Sequence, residues 1–162
     1  MKTEEVGDTR KATLMACAVR AECRYGSHFA QAFLGEKWIP CAPKNVASAR
    51  RFVRDVAADW EVDGEVREIA ELLTSELVTN ALSHGSSGVS ARDAIRVTVS
   101  REKELMIVDV HDSCVAIPRM RRADYLGVSG RGLPIVQNLS HNWGWTLNPA
   151  GKSVWFQLLA WP

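Results

Sequence analysis

Apolar residues between positions 43 and 84 recur at spacings of three and four, the period of a helix with one buried stripe. Val46, Ala49, Val53, Val56 and Trp60 form the first stripe, while Arg50, Arg51 and Arg54 fall largely off it. Pro43 opens the pattern, where a proline suits a first helical turn. Asp63-Gly64 punctuates, and a second helix is expected over about residues 65–84, with Val66, Ile69 or Ala70, Leu73, Leu77 and Ala81 as its stripe. Glycine and serine over residues 85–88 end it. The period then becomes two: Ile95, Val97 and Val99 alternate with Arg96, Thr98 and Ser100, predicting a half-buried strand over 94–100. A charged turn over 101–104 leads to a second strand over 105–111. Residues 112–130 have no regular period and contain Pro118, Gly127 and Gly130; such a long loop in a compact domain is usually functional or mobile. Gly132 leads into a third helix over 133–141, with Pro134 in its tolerated first turn. Two strands, 143–147 and 153–159, form a hairpin around Asn148-Pro149-Ala150-Gly151. Trp143, Trp145 and Trp155 are expected to stack across it. Upstream, residues 28–43 read as one or two short extended pieces broken by Gly35, Pro40 and Pro43. Residues 1–26 are a poorly defined extension before a domain spanning 27–162.

The resulting order is helix, helix, strand, strand, loop, helix, strand, strand. Consecutive strands that pair with each other predict an α/β two-layer sandwich, a mixed, mostly antiparallel sheet with helices on one face. A Rossmann arrangement needs strands and helices to alternate.

Composition narrows the classes. The 162 residues suffice for one domain with a core, and 46% hydrophobic with 24% charged residues is ordinary for a globular protein. A formal net charge of +1 gives no general attraction to nucleic acid or an anionic membrane. No apolar run approaches the roughly 20 residues of a membrane span. The polar start of the chain is unlike a signal peptide, so a cytoplasmic protein is expected. Cys17, Cys23, Cys41 and Cys114 lack the spacing of a zinc or redox motif and read as free thiols.

Candidate chemistry falls at three places. Glu76 and Asn80 lie four apart on the second helix, on one face beside the core stripe. Taken alone, they read first as a polar helix edge. Functionally, an amide oxygen can join substrate phosphates around magnesium, and the carboxylate can orient or deprotonate an attacking group. Asp112 continues the face of Met106, Val108 and Val110 at a strand end. A carboxylate ending an apolar row needs a donor, such as the exocyclic amine of adenine, unless it turns to solvent or caps a turn. Asp109 and His111 fall on the other face as surface residues. Gly130-Arg131-Gly132 precedes the third helix, where glycines allow close backbone approach and free amides favour phosphate oxygens. Arg119, Arg121 and Arg122 sit in the long loop, as lid residues meeting phosphates or as a solvated basic stretch. There is no P-loop and no spacing that recommends a hydrolase triad.

Three ordered motifs say more than any one. Glu71-Leu72-Leu73-Thr74-Ser75-Glu76-Leu77-Val78-Thr79-Asn80-Ala81 resembles the N-box of the GHKL ATP-binding superfamily, which includes gyrase, histidine kinases and anti-sigma factor kinases. Val108-Asp109-Val110-His111-Asp112 resembles the strand entering its adenine-binding box, and Gly130-Arg131-Gly132-Leu133-Pro134-Ile135-Val136 its second glycine box. With His84 following, the first motif looks most like the stand-alone bacterial branch related to anti-sigma factor serine kinases, and the likeness covers about residues 43–159. The resemblance implies a mixed sheet under three helices with ATP and Mg2+ as cofactors. It assigns magnesium to Asn80, the general-base or water-orienting role to Glu76, and adenine recognition to Asp112. Gly130 and Gly132 would shape the phosphate and lid region, and His84, Arg119, Arg131 and Leu133 complete the implied nucleotide-binding set. One departure matters: the adenine box usually has glycines two and four residues after its Asp, and Cys114 and Ala116 stand there, implying weaker nucleotide affinity or a stiffer start to the lid.

The resemblance implies a regulatory serine/threonine protein kinase that phosphorylates an anti-anti-sigma partner and sequesters a sigma factor. It also admits a homodimer. The alternative is a non-catalytic nucleotide sensor acting by protein–protein interaction. A nucleic-acid-binding regulator is disfavoured by the near-neutral charge, and a histidine kinase by the lack of a histidine-bearing dimerisation helix before the domain.

Overall fold

The structure, a computed structural model, describes residues 31–84, 94–116, 118 and 132–162. The extension over 1–26 with Cys17 and Cys23, His28, the glycine–serine stop over 85–88 and the loop residues 119–131 lie outside the described residues.

Alternating side chains build five strands: β1 (Ala32–Pro40), β2 (Ala94–Glu102), β3 (Leu105–Asp112), β4 (Asn142–Asn148) and β5 (Gly151–Leu159). They form one sheet in the order β1-β2-β3-β5-β4, antiparallel at every pairing described. One face carries Ile95, Val97, Val99, Met106, Val108, Val110, Val154, Phe156 and Leu158, all buried. The same core cluster takes in residues of α1 (Val46–Asp59), α2 (Gly64–His84) and α3 (Gly132–Leu139), so the helices cover that face. This is the two-layer α/β sandwich expected from the order of elements.

The helices follow the 3.6-residue period with small shifts. In α1 the buried stripe is Ala49, Val53 and Ala57; Trp60 lies beyond the helix and is 42% exposed. In α2 it is Ala70, not Ile69, that is fully buried, together with Leu73, Leu77, Val78 and Ala81. Thr74 is also buried; its hydroxyl donates to the Ala70 carbonyl at 2.7 Å, so burying it leaves no unmet donor. Asp63 caps α2, its Oδ1 accepting from the Glu65 N–H at 2.9 Å.

Three local expectations change. β1 is one nine-residue strand, because a register shift between Phe33 and Gly35 absorbs the irregularity and Pro40 falls at the strand end, where a missing donor is harmless. α3 stops at Leu139, short of the expected 141, because the His141 N–H is drawn into the sheet by the Gln157 carbonyl at 2.8 Å. The tryptophans do not form one stack. Trp143 and Trp145 pair with Phe156 and Val154 on the helix-bearing face, whereas Trp155 pairs with Gly144 and faces the opposite side.

Candidate functional site

The burial of Leu73, Leu77, Val78 and Ala81 fixes the rotation of α2 about its axis. It leaves Glu76 and Asn80, one turn apart, half-buried on the same edge. α3 packs against α2, anchored by the buried Leu133 and Val136. Its first residue, Gly132, comes so close that a Cβ there would lie 2.9 Å from Glu76 Oε2. Glycine is what allows this approach. The first-turn amides of α3 have no acceptor within their own helix, and the Glu76 carboxylate lies beside that helix end. Leu133 contributes its side chain to the core, which leaves its backbone as what it can offer a ligand.

Asp112 ends β3, the middle strand, on the helix-bearing face, and is only 3% exposed. Its face and burial are those expected from the alternation; its donors are not. Oδ1 accepts from the Lys152 Nζ at 2.8 Å and from the Cys114 N–H at 2.8 Å. Oδ2 is buried and has no hydrogen-bond partner among the described residues. Asp112 therefore both caps a turn and stays inside, two readings that looked exclusive in the sequence. The segment after it is closed further by the Ala116 N–H, which donates to Cys114 Sγ at 3.4 Å.

Lys152 is the residue that the sequence reading missed. It is 1% exposed, with its ammonium inside the protein on the Asp112 carboxylate. The register pairs Asp112 with Lys152 across β3 and β5, so both side chains project from the same face. The signal was present: Lys152 is in phase with the buried Val154, Phe156 and Leu158. Gly151 makes the crossing possible. It has φ +143°, and a Cβ there would overlap the Asp112 carbonyl oxygen at 1.9 Å.

Glu76 and Gly132 are thus brought into contact, with Asn80 beside them, and α2 lies over β3, which ends in Asp112. His84 closes α2, and only its backbone is described. Arg119, Arg121, Arg122, Gly130 and Arg131 lie outside the described residues. His111 is on the opposite face, its Nδ1 3.3 Å from Ser153 Oγ, as expected of a residue out of phase with Asp112. A cavity of about 600 Å³ also opens on that opposite face, lined by Glu36, Arg96, Thr98 and Asp109, and so is separate from the Glu76 and Asp112 region.

A five-stranded antiparallel sheet under three helices is the fold of a GHKL-type ATPase domain. The profile of the histidine kinase-like ATPase domain family matches residues 39–158, and the chain belongs to that family. No curated protein matches it. Among solved structures it is similar to the RsbU and RsbW domains of Rv1364c from Mycobacterium tuberculosis, with a TM-score of 0.59 and 16% identity over 78% of this chain. The match spans 32% of that longer chain, and the likeness is one of fold.

Proposed function

We propose that the protein is an Mg-ATP-binding regulator that phosphorylates a serine or threonine of an anti-anti-sigma partner and sequesters a sigma factor. The observation that carries this reading is the contact of Gly132 with Glu76, which joins the second-glycine-box residue to the N-box acid. Family membership and the fold shared with an RsbW domain support it.

The residues present fit the implied cofactors. Magnesium takes oxygen ligands and keeps several waters, so one side-chain oxygen together with phosphates can hold it. Asn80 supplies that oxygen, and the bound cation would offset the negative charge of the phosphates. The buried, unpartnered Oδ2 of Asp112 suits a donor from an adenine amine. Glu76 accepts the proton of the attacking hydroxyl, and the amides at the start of α3 face phosphate oxygens. In phosphoryl transfer such positioning and charge neutralisation are most of catalysis, so a sparse site is sufficient. His84, Arg119, Gly130 and Arg131 belong to the proposed nucleotide-binding set on the strength of the motifs alone. No described helix is long and apolar enough to cross a membrane.

Incubating the protein with labelled ATP, Mg2+ and an anti-anti-sigma partner tests the proposal. Label should appear on a partner serine or threonine and vanish in Glu76→Ala and Asn80→Ala. Tight ATP binding without transfer to any partner removes the kinase and leaves a nucleotide sensor. That second reading draws on the segment from Asp112 to Ala116, whose two local hydrogen bonds restrain the start of the lid where the family usually has glycines.

A further inference from the structure

Lys152 has no part in the reading above, yet it is among the most buried side chains of the protein. A lysine almost wholly removed from water on one carboxylate is an expensive arrangement that apolar packing could replace. Here it has a geometric consequence. Asp112 Oδ1 holds two donors at 2.8 Å, one charged and one from the backbone, while Oδ2 holds none among the described residues. The carboxylate is thereby prevented from turning about its Cβ–Cγ bond, since turning breaks a short charge-assisted hydrogen bond. The Asp112–Lys152 register and the passage of Gly151 across the Asp112 backbone place both partners on rigid strand positions.

We infer that Lys152 is a positioning residue that fixes Asp112 with one oxygen engaged and the other presented as a pure acceptor, so that the site selects 6-amino over 6-oxo purine nucleotides. The inference rests on the reading of Asp112 as the purine-recognising acid. A 6-amino group donates to Oδ2. A 6-oxo group turns lone pairs toward it and leaves both unpaired, a mismatch that binding sites built around a hydrogen bond reject strongly. Without the lysine the carboxylate is free to turn, Oδ2 is no longer held toward the base, and the advantage of a 6-amino donor falls.

Inosine triphosphate differs from ATP by the 6-oxo group in place of the 6-amino group, so equilibrium binding of both with Mg2+ to the full chain reads the effect. The wild type should prefer ATP by on the order of 100-fold, and Lys152→Met should lower that ratio by about tenfold or more. Asp112→Asn provides a second arm that keeps Lys152. The lysine holds the amide oxygen, the amide nitrogen takes the place of Oδ2, and the preference should reverse toward inosine triphosphate. This arm decides the matter if Lys152→Met does not fold. An unchanged ratio in Lys152→Met, tighter ATP binding in that variant, or a retained ATP preference in Asp112→Asn overturns the inference alone. A folded wild type that binds neither nucleotide overturns the nucleotide reading and this inference with it.

Discussion

At the residue scale, two contacts carry the proposed chemistry, and each predicts a different kind of failure. The Cβ of Gly132→Ala meets the mobile end of the Glu76 side chain, not the backbone. Glu76 can swing away, so the fold should tolerate the change within about 1 kcal/mol, helped by the better helix propensity of alanine. Phosphoryl transfer should nonetheless fall by about tenfold or more, because a displaced base loses its alignment. Thermal unfolding and single-turnover transfer on the same preparation separate the two effects. The Asp112–Lys152 pair behaves in the opposite way. Both side chains are nearly out of water, at 5% and 1% exposure. Asp112→Ala leaves the ammonium buried without its anion and should cost about 3–5 kcal/mol, whereas Asp112→Leu with Lys152→Met should recover most of that loss. Urea unfolding midpoints of the single and double variants check this, and a double variant as unstable as the single would show that the pair is not the source of the cost.

At the element scale, α1 and α2 are joined by an apolar seam and by Glu71, which lies 3.9 Å from the Nε atoms of both Arg50 and Arg54. The arginines are nearly half exposed, so solvent screens the pairs. Glu71→Gln should cost less than about 1 kcal/mol, and less still at high salt. Leu73→Ala, at a fully buried position of the same helix, should cost about 2–5 kcal/mol at any salt concentration. Denaturant titrations of both variants at low and high salt make the comparison. The same contrast explains what was legible in the sequence. Burial by period is written along the chain: the α2 stripe, the alternation in β2 and the face of Asp112 were all readable from it. Contacts between distant segments are not. The end of α3 is set by Gln157, the side on which Trp155 lies by the β4–β5 register, and the partner of Asp112 by a residue forty positions away. The helix and strand faces of the candidate site, the inward phase of Lys152 among them, follow from the amino-acid pattern, whereas the pairing of Lys152 with Asp112 and the contact of Gly132 with Glu76 come from the folded chain.

At the scale of the whole molecule, the proposed ligand spans elements far apart in sequence. Its proposed contacts are Asn80 and Glu76 from α2, the first-turn amides of α3 and Asp112 from the end of β3. A ligand that joins three such elements binds the folded chain and not the unfolded one, so its affinity must appear as stability. At a concentration a hundred times its Kd, Mg-ATP should add about 2.7 kcal/mol, a rise in Tm of roughly 5–10 °C for a chain of this size. In the proposed site the cation and the purine are read by different elements, so their contributions should separate. Asn80→Ala should remove the part of the shift that depends on Mg2+ while leaving a smaller shift from the nucleotide alone. An apolar replacement of the pair, Asp112→Leu with Lys152→Met, should show the reverse, a shift that needs the cation and is indifferent to the base. Differential scanning calorimetry with ATP and inosine triphosphate, each with and without Mg2+, distinguishes these patterns. Equal losses in both variants under all four conditions would mean that a single local element, not the junction of three, carries the ligand.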